Sequence, residues 1–309
     1  MARSGSYNFT LTRNNLITHA LRSINLIAKN ETPTDEMMQY SADALNILIK
    51  SWEGEGIQMW NRRRGYLFTA YQTESYTLGP TGTHATNSYI STQLNGALAA
   101  SATAVTVDST TGMTVGDNIG VELTAGSRFW TTIATIPTST TLTLTTGVTT
   151  AAADNNYVIT YTSKIQRPLR LVQATLKDIT TSIEVTMAPI SYDQYFDYPN
   201  KTTDGQSSTY YYDKTMDNGT LYLYPRPNNV DKIVCFTYHE ALEDVDSSTH
   251  DVDFPTEWLA ALKWNLAVEL AYAYGKYPEL EKIEPKALYH KNLMQWFDTD
   301  EEDLIITVS

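Results

Sequence analysis

Cysteine, basic residues and long apolar runs are all scarce in this 309-residue sequence. Cys235 is its only cysteine, so no internal disulfide can form. It sits in the strand-like run Lys232–Tyr238 and reads as an inert core thiol, consistent with folding in a reducing cytoplasm. The most apolar stretch, around Trp258–Ala273, is interrupted by Lys263, Asn265 and Glu269, so no membrane span is expected. Met1–Thr10 lacks the apolar core of a secretory signal, and Sec export is not expected. With 22 Lys and Arg against 35 Asp and Glu, the net charge is −13. That balance argues against a general nucleic-acid binder, which neutralises phosphates with excess cations. It leaves room for a surface past which DNA slides ungripped, and it helps keep free subunits soluble.

Catalytic patterns are also missing. None of His19, His84, His239, His250 and His290 belongs to a His-Glu-x-x-His pattern or pairs with a second ligand at helical spacing. The segment from His239 to Asp253 offers alternating oxygen ligands through Glu243, Asp244, Asp246 and Asp251. No glycine bends it and no closing glutamate completes a calcium loop, so it reads as a solvated acidic loop. Glu53 and Glu55 flank Gly54 at a helix end, which suits helix termination better than an acid/base pair across a cleft. No Gly-x-Ser-x-Gly elbow, phosphate loop or dinucleotide fingerprint occurs. Neither an enzyme nor a cofactor or metal is expected.

What is present lies in three blocks. At the N-terminal end, Ile17, Ala20, Leu21, Ile24, Ile27 and Ala28 form an apolar stripe that predicts a helix over Thr12–Ala28. A second helix is expected from Thr32 as cap and Pro33 as first residue, with Asp35 and Glu36 at its positive end. Its stripe is Met37, Ser41, Ala44, Leu45, Leu48, Ile49 and Trp52, and Gly54 or Gly56 ends it. The short link between the two makes them a hairpin. At the C-terminal end, Thr256 opens a helix through about Tyr274, stopped by Gly275, with Trp258, Leu262, Leu266, Ala267 and Leu270 on one face. Pro285 is expected to open the last helix, carrying Leu288, Leu293, Trp296 and Phe297. Together the two ends predict a helical bundle, 12–56 plus 255–302.

Between them the period changes to two. Tyr66–Tyr71 and Ser75–Leu78 read as strands stopped by Gly79-Pro80. From Asn87 to about Ser163 the composition turns to Thr, Ala, Ser and Gly. Short strands are expected at Ala104–Val107, Asn118–Leu123, Phe129–Ile136, Thr140–Leu144 and Tyr157–Tyr161, suggesting a small β-barrel or sandwich inserted into the chain. Strands follow at Leu169–Ala174 and Ile183–Thr186, with a loop at Tyr198–Ser208. The turn Asp217-Asn218-Gly219 predicts a hairpin between Thr209–Tyr212 and Thr220–Tyr224, and Ile233–Tyr238 follows. The fold class is therefore α+β: terminal amphipathic helices in a bundle, an antiparallel sheet, and an inserted β module. The expected division is a core of 1–86 and 164–309, a module at 87–163, and a tail at 303–309.

Two segments stand out as partner-binding candidates. Arg62, Arg63 and Arg64 are the densest positive cluster in an acidic chain and could meet a partner's carboxylates, DNA phosphates, or only solvent. The tail residues Leu304, Ile305, Ile306 and Val308 are apolar β-formers with nothing after them to cover them. They would add as a strand to a neighbour or to the chain's own sheet. Tyr, with 21 copies, is favoured both in strands and at interfaces.

The order of the pieces carries a resemblance. Ser51-Trp52-Glu53-Gly54-Glu55-Gly56-Ile57 after the helix hairpin, Tyr76-Thr77-Leu78-Gly79, Leu221-Tyr222-Leu223-Tyr224-Pro225-Arg226-Pro227 and Asp253-Phe254-Pro255-Thr256-Glu257-Trp258 together resemble bacteriophage head-to-tail adaptors. These are the tail accessory factor or tail tubular protein A-like proteins of short-tailed phages. The stretch Asn95–Thr162 is similar to small β modules of phage structural proteins. The resemblance implies a structural virion protein, made in the host cytoplasm and built into the head–tail junction without a catalytic residue. It implies a ring, usually of twelve copies, beneath the portal. That ring extends the DNA channel, passes the genome without sequence-specific binding, and presents a platform to the next tail tube, nozzle or fibre protein. A different class also fits part of the chain: a peripheral tail or host-recognition protein whose β module stacks sugars on aromatics such as Tyr210-Tyr211-Tyr212.

Overall fold

The computed structural model of the chain describes residues 9–56 and 59–297. They form two compact units: residues up to Asn61 with those from Leu242 onward, and Arg62–Ala241. Among the described residues there are five α-helices: α1 (Arg13–Ser23), α2 (Asp35–Glu55), α3 (Tyr192–Phe196), α4 (Leu259–Ala273) and α5 (Tyr277–Phe297).

The first unit is helical. Its central helix, α4, is apolar nearly all round, and α1, α2 and α5 each pack against it. Leu16, Ile17 and Leu21 of α1, Leu45, Ile49 and Trp52 of α2, and Leu262, Leu266 and Leu270 of α4 share one core. Trp52, Trp60, Phe254 and Trp258 interlock in it, with ring centroids 4.8–6.2 Å apart. Helix α1 stops five residues before the expected Ala28. Asn25 takes a left-handed φ of 53° there, and the Asn25 and Leu26 amides donate to the Arg22 and Leu21 carbonyls. This is a Schellman ending with Asn in the glycine position, and Ile24 and Ile27 remain buried beyond it. In α2 the cap is Thr34, not Thr32: extended at φ −69° and ψ 159°, it accepts from the Met37 amide, leaving Pro33 outside the helix. Gly56, at φ 79°, closes α2 as expected.

The last helix departs from expectation in its start. It begins at Tyr277, with Pro285 inside it. Pro285 lies on the solvent side, where water can reach the carbonyl it leaves without a donor, while Ile283 and Ala287 hold the inner side. The buried stripe is Leu280, Ile283, Ala287 and Met294. Leu288, Leu293 and Trp296, the apolar residues that the sequence places on this helix, are 60%, 39% and 78% exposed.

The second unit holds sixteen strands: β1 (Arg62–Phe68), β2 (Ser75–Leu78), β3 (Ala85–Thr86), β4 (Ile90–Gln93), β5 (Ala104–Thr106), β6 (Asn118–Glu122), β7 (Arg128–Thr135), β8 (Thr141–Leu144), β9 (Tyr157–Tyr161), β10 (Arg170–Asp178), β11 (Glu184–Pro189), β12 (Asp204–Gly205), β13 (Thr209–Asp213), β14 (Gly219–Tyr224), β15 (Arg226–Pro227) and β16 (Lys232–His239). Eight make a nearly closed, barrel-like sheet in the order β2-β14-β13-β11-β10-β16-β1-β3. Its pairs are antiparallel except β11 with β13. Six make a curled half-barrel in the order β4-β9-β6-β7-β8-β5, rather than a closed barrel or a sandwich. Strand β1 starts at Arg62 and ends at Phe68, displaced from the expected Tyr66–Tyr71, because pairing with β16 runs from Arg62↔His239 to Phe68↔Ile233. The hairpin of β13 and β14 forms with Asp217 at φ 62°. Its glycine is needed for space: a Cβ on Gly219 would lie 1.9 Å from Tyr212 Oη.

An aromatic cluster ties the two sheets together within this unit. Phe68, Ile233 and Cys235 of the large sheet meet Ile159 and Tyr161 of the small one. His84 stacks on Trp130 at 3.9 Å and 6°, with its Nδ1 2.5 Å from the Tyr161 hydroxyl. Burial, with Lys164 and Arg128 adding repulsion, lowers the His84 pKa to about 4.

Candidate docking surfaces

The arginine run lies in a strand, so alternation sends Arg62 and Arg64 to one face of the sheet and Arg63 to the other. Arg63 Nε donates to Glu240 Oε2 at 3.2 Å, and Arg64 Nη2 to Glu184 Oε1 at 2.6 Å. Glu184 is held from its other oxygen by Thr175 Oγ1 at 2.9 Å. Arg64, Gln173, Thr175, Glu184 and Cys235 help line a shallow cleft of about 160 Å³. Burial, then the nearby Glu184 carboxylate, push the Cys235 thiol up, which keeps it unreactive. The other expected site, Leu304, Ile305, Ile306 and Val308, lies outside the described residues.

Two surfaces escaped the sequence reading. One is an aromatic ledge where α3 crosses β13 and β14. Tyr192 and Phe196 lie 4.4 Å apart, Tyr192 meets Tyr211 at 5.8 Å, and Tyr211 stacks on Tyr222 at 5.9 Å and 16°. Of Tyr210-Tyr211-Tyr212, Tyr210 is buried and Tyr212 donates to the Pro168 carbonyl, so only Tyr211 joins the ledge. The trio belongs to the eight-stranded sheet and not to the half-barrel. Helix α3 carries a recognisable signal in Ser191-x-x-Gln194, a capping box with both reciprocal bonds made.

The other surface is on the helical unit. Tyr40 and Ile47 of α2 are 50% and 71% exposed. With Asp43, Ala44, Ser51 and Glu269 they line a groove of about 360 Å³. On α5, Leu288, Tyr289, Leu293 and Trp296 face away from α4. Large apolar side chains aligned this way on a folded unit are the mark of a protein interface. Among the described residues, no group of three or more His, Cys, Asp or Glu stands where it could hold a metal ion. No described helix is long and apolar enough to cross a membrane.

A model of the SU10 adaptor protein family matches residues 121–295, more than half of the chain. The chain belongs to that family. It is a phage adaptor, which places it among structural proteins of the virion rather than enzymes. No curated protein matches it. In this adaptor the matched stretch begins inside β6 and runs through the rest of both sheets to the outward row of α5. It contains Leu221–Pro227 and Asp253–Trp258, and it leaves out α1, α2 and β1. The ledge and the α5 row as far as Leu293 therefore fall within the family stretch, and Trp296 and the three arginines fall outside it.

Proposed function

We propose that this chain is a head-to-tail adaptor whose copies form a ring of about twelve beneath the portal. Such a ring extends the DNA channel and presents a platform to the next tail tube, nozzle or fibre protein. The observation that carries this reading is the family match across residues 121–295. The unpartnered apolar rows on α2 and α5 support it, because a ring of identical copies buries two different faces of every subunit. The charge of −13 suits a lumen past which DNA slides, since carboxylates repel phosphates.

The half-barrel within 87–163 is read as a module inserted into a core of 1–86 and 164–309. Arg62, Arg63 and Arg64 are candidate contacts to acidic portal or neighbour surface; a partner carboxylate would exchange with Glu240 and Glu184, which hold Arg63 and Arg64 in the free chain. Leu304, Ile305, Ile306 and Val308 are candidates for strand addition to a neighbour. The test is to mix the purified protein with the cognate portal ring and image it by electron microscopy. A collar on one portal face supports the reading, and failure to bind in any stoichiometry refutes it.

The ledge of Tyr192, Phe196, Tyr211 and Tyr222 favours a second reading, a peripheral tail protein that stacks sugars on exposed rings. Saturable binding of host surface glycan, lost in Tyr211→Ala, together with no portal binding, would select it.

A further inference from the structure

We propose that neighbouring copies join through their helical units, the outer row of α5 on one copy seating in register and in parallel on the outer row of α2 on the next. This rests on the ring reading above. It starts from two rows of exposed side chains with identical spacing. On α2 the row is Glu36, Tyr40, Asp43 and Ile47; on α5 it is Lys282, Lys286, Tyr289 and Leu293. Both follow steps of four, three and four residues, the spacing of a helix–helix seam.

Chemistry selects the register. Aligned in parallel, Glu36 faces Lys282, Asp43 faces the Tyr289 hydroxyl, and Ile47 faces Leu293. Tyr40 then offers its ring to the Lys286 ammonium, which in the free chain lies 4.8 Å over the Trp264 ring. One step further on, the 78%-exposed Trp296 comes to the end of the α2 row. Run antiparallel, the same rows match Asp43 with Lys286 and Tyr40 with Tyr289, but they set Glu36 on Leu293 and Ile47 under Lys282, two mismatches against none in the parallel register. The acidic rim of the α2 groove, Asp43 and Glu269, also favours a lysine-bearing helix over the acidic stretch Asp298–Asp303 as its occupant.

Symmetry points the same way. Within one chain α2 and α5 run parallel. Glu55, at the end of α2, accepts from Lys291 Nζ at 2.7 Å and Gln295 Nε2 at 3.4 Å, near the end of α5. Tyr40, near the start of α2, touches Tyr274, which caps α4 three residues before α5 begins. Rotation about an axis along the helices preserves direction, so α5 of one copy meets α2 of the next in parallel, as the side chains require. A two-fold across the helices would reverse direction and pair each face with itself.

Cysteine pairs read the register directly, since native Cys235 is buried. Ile47→Cys with Leu293→Cys in one chain should give a ladder of disulfide-linked oligomers on mild oxidation, both in concentrated free protein and on the portal. Ile47→Cys with Lys282→Cys, the antiparallel control, should stay monomeric. A collar with no 47–293 ladder, or dimers from Leu293→Cys alone, overturns this interface and leaves the adaptor reading standing. A ladder without a portal-bound collar upholds the interface and removes the portal reading; neither ladder nor collar removes both. Charge reversal checks the same contact without cysteines. Lys282→Glu and Glu36→Lys should each weaken assembly alone and restore it when mixed in equal amounts, since Glu36 faces Lys282 only in the parallel register. Failure of the mixture to assemble while both variants stay folded refutes the pairing.

Discussion

Acid should loosen the joint between the two β-sheets through one side chain, His84. Its ring is stacked on Trp130 and its Nδ1 meets the Tyr161 hydroxyl, and burial holds its pKa at about 4 against 6.5 for a free histidine. The unfolded chain therefore takes up this proton first. Stability contributed by the neutral ring is complete above about pH 6.5 and falls away as the pH drops toward 4. At about 1.4 kcal/mol per pH unit this amounts to roughly 3 kcal/mol, and access of solvent to the ring edge reduces it to about 2 kcal/mol. In His84→Phe the stack survives, the titration disappears, and the lost bond to Tyr161 costs about 1 kcal/mol. The variant should thus be the less stable protein at pH 7 and the more stable one at pH 4.5, the curves crossing between about pH 5 and 6. Urea unfolding at each pH, read by pulsed hydrogen exchange of β7 and β9 peptides, reports on this unit alone. Parallel curves for the two proteins would refute the reasoning, because every other titrating group is common to both.

Further outcomes follow from single contacts. Thr34→Ala should cost about 1 kcal/mol in thermal unfolding while Thr32→Ala is neutral, and the reverse order would place the α2 cap at Thr32 after all. Trp258→Ala, at the centre of the aromatic cluster of the helical unit, should cost about 3–5 kcal/mol and Trp258→Phe clearly less; a loss near zero would mean that the cluster does not hold the unit together. Replacing Arg62, Arg63 and Arg64 together with Ala should change stability by less than about 2 kcal/mol, since Arg63 and Arg64 make their ion pairs to Glu240 and Glu184 at exposed positions, yet weaken portal binding. Unchanged portal affinity would remove the arginines from the docking surface.

Much of the fold was legible in the sequence where local and tertiary preferences agree. The stripes of α1, α2 and α4 mark faces that are buried against one another, and the strands at β2, β6, β8, β9, β13 and β14 lie within a residue or two of their expected bounds. Local signals misled where two were equivalent. Thr32 and Thr34 are chemically alike as caps, and Pro285 looks like a helix start unless its solvent-side position is known. Helix α3 is only five residues long, too short to show a period, and only its capping box announced it.

Composition and hydrophobic period set the elements that could be read directly from the chain. The sequence excluded a disulfide framework and specified helical ends around a β-rich middle, because cysteine count and hydrophobic period are properties of the chain. It could not say which apolar residues are left over. Leu288, Leu293 and Trp296 look like any buried stripe until Leu280, Ile283, Ala287 and Met294 are seen occupying the contact with α4. Nor could it say that three consecutive arginines enter a strand, divide between two faces, and meet Glu240 and Glu184 from distant segments. Exposure and pairing are relations between segments far apart in sequence. The apolar side chains left exposed are what remains after those relations are satisfied, so they depend on how the distant segments pack.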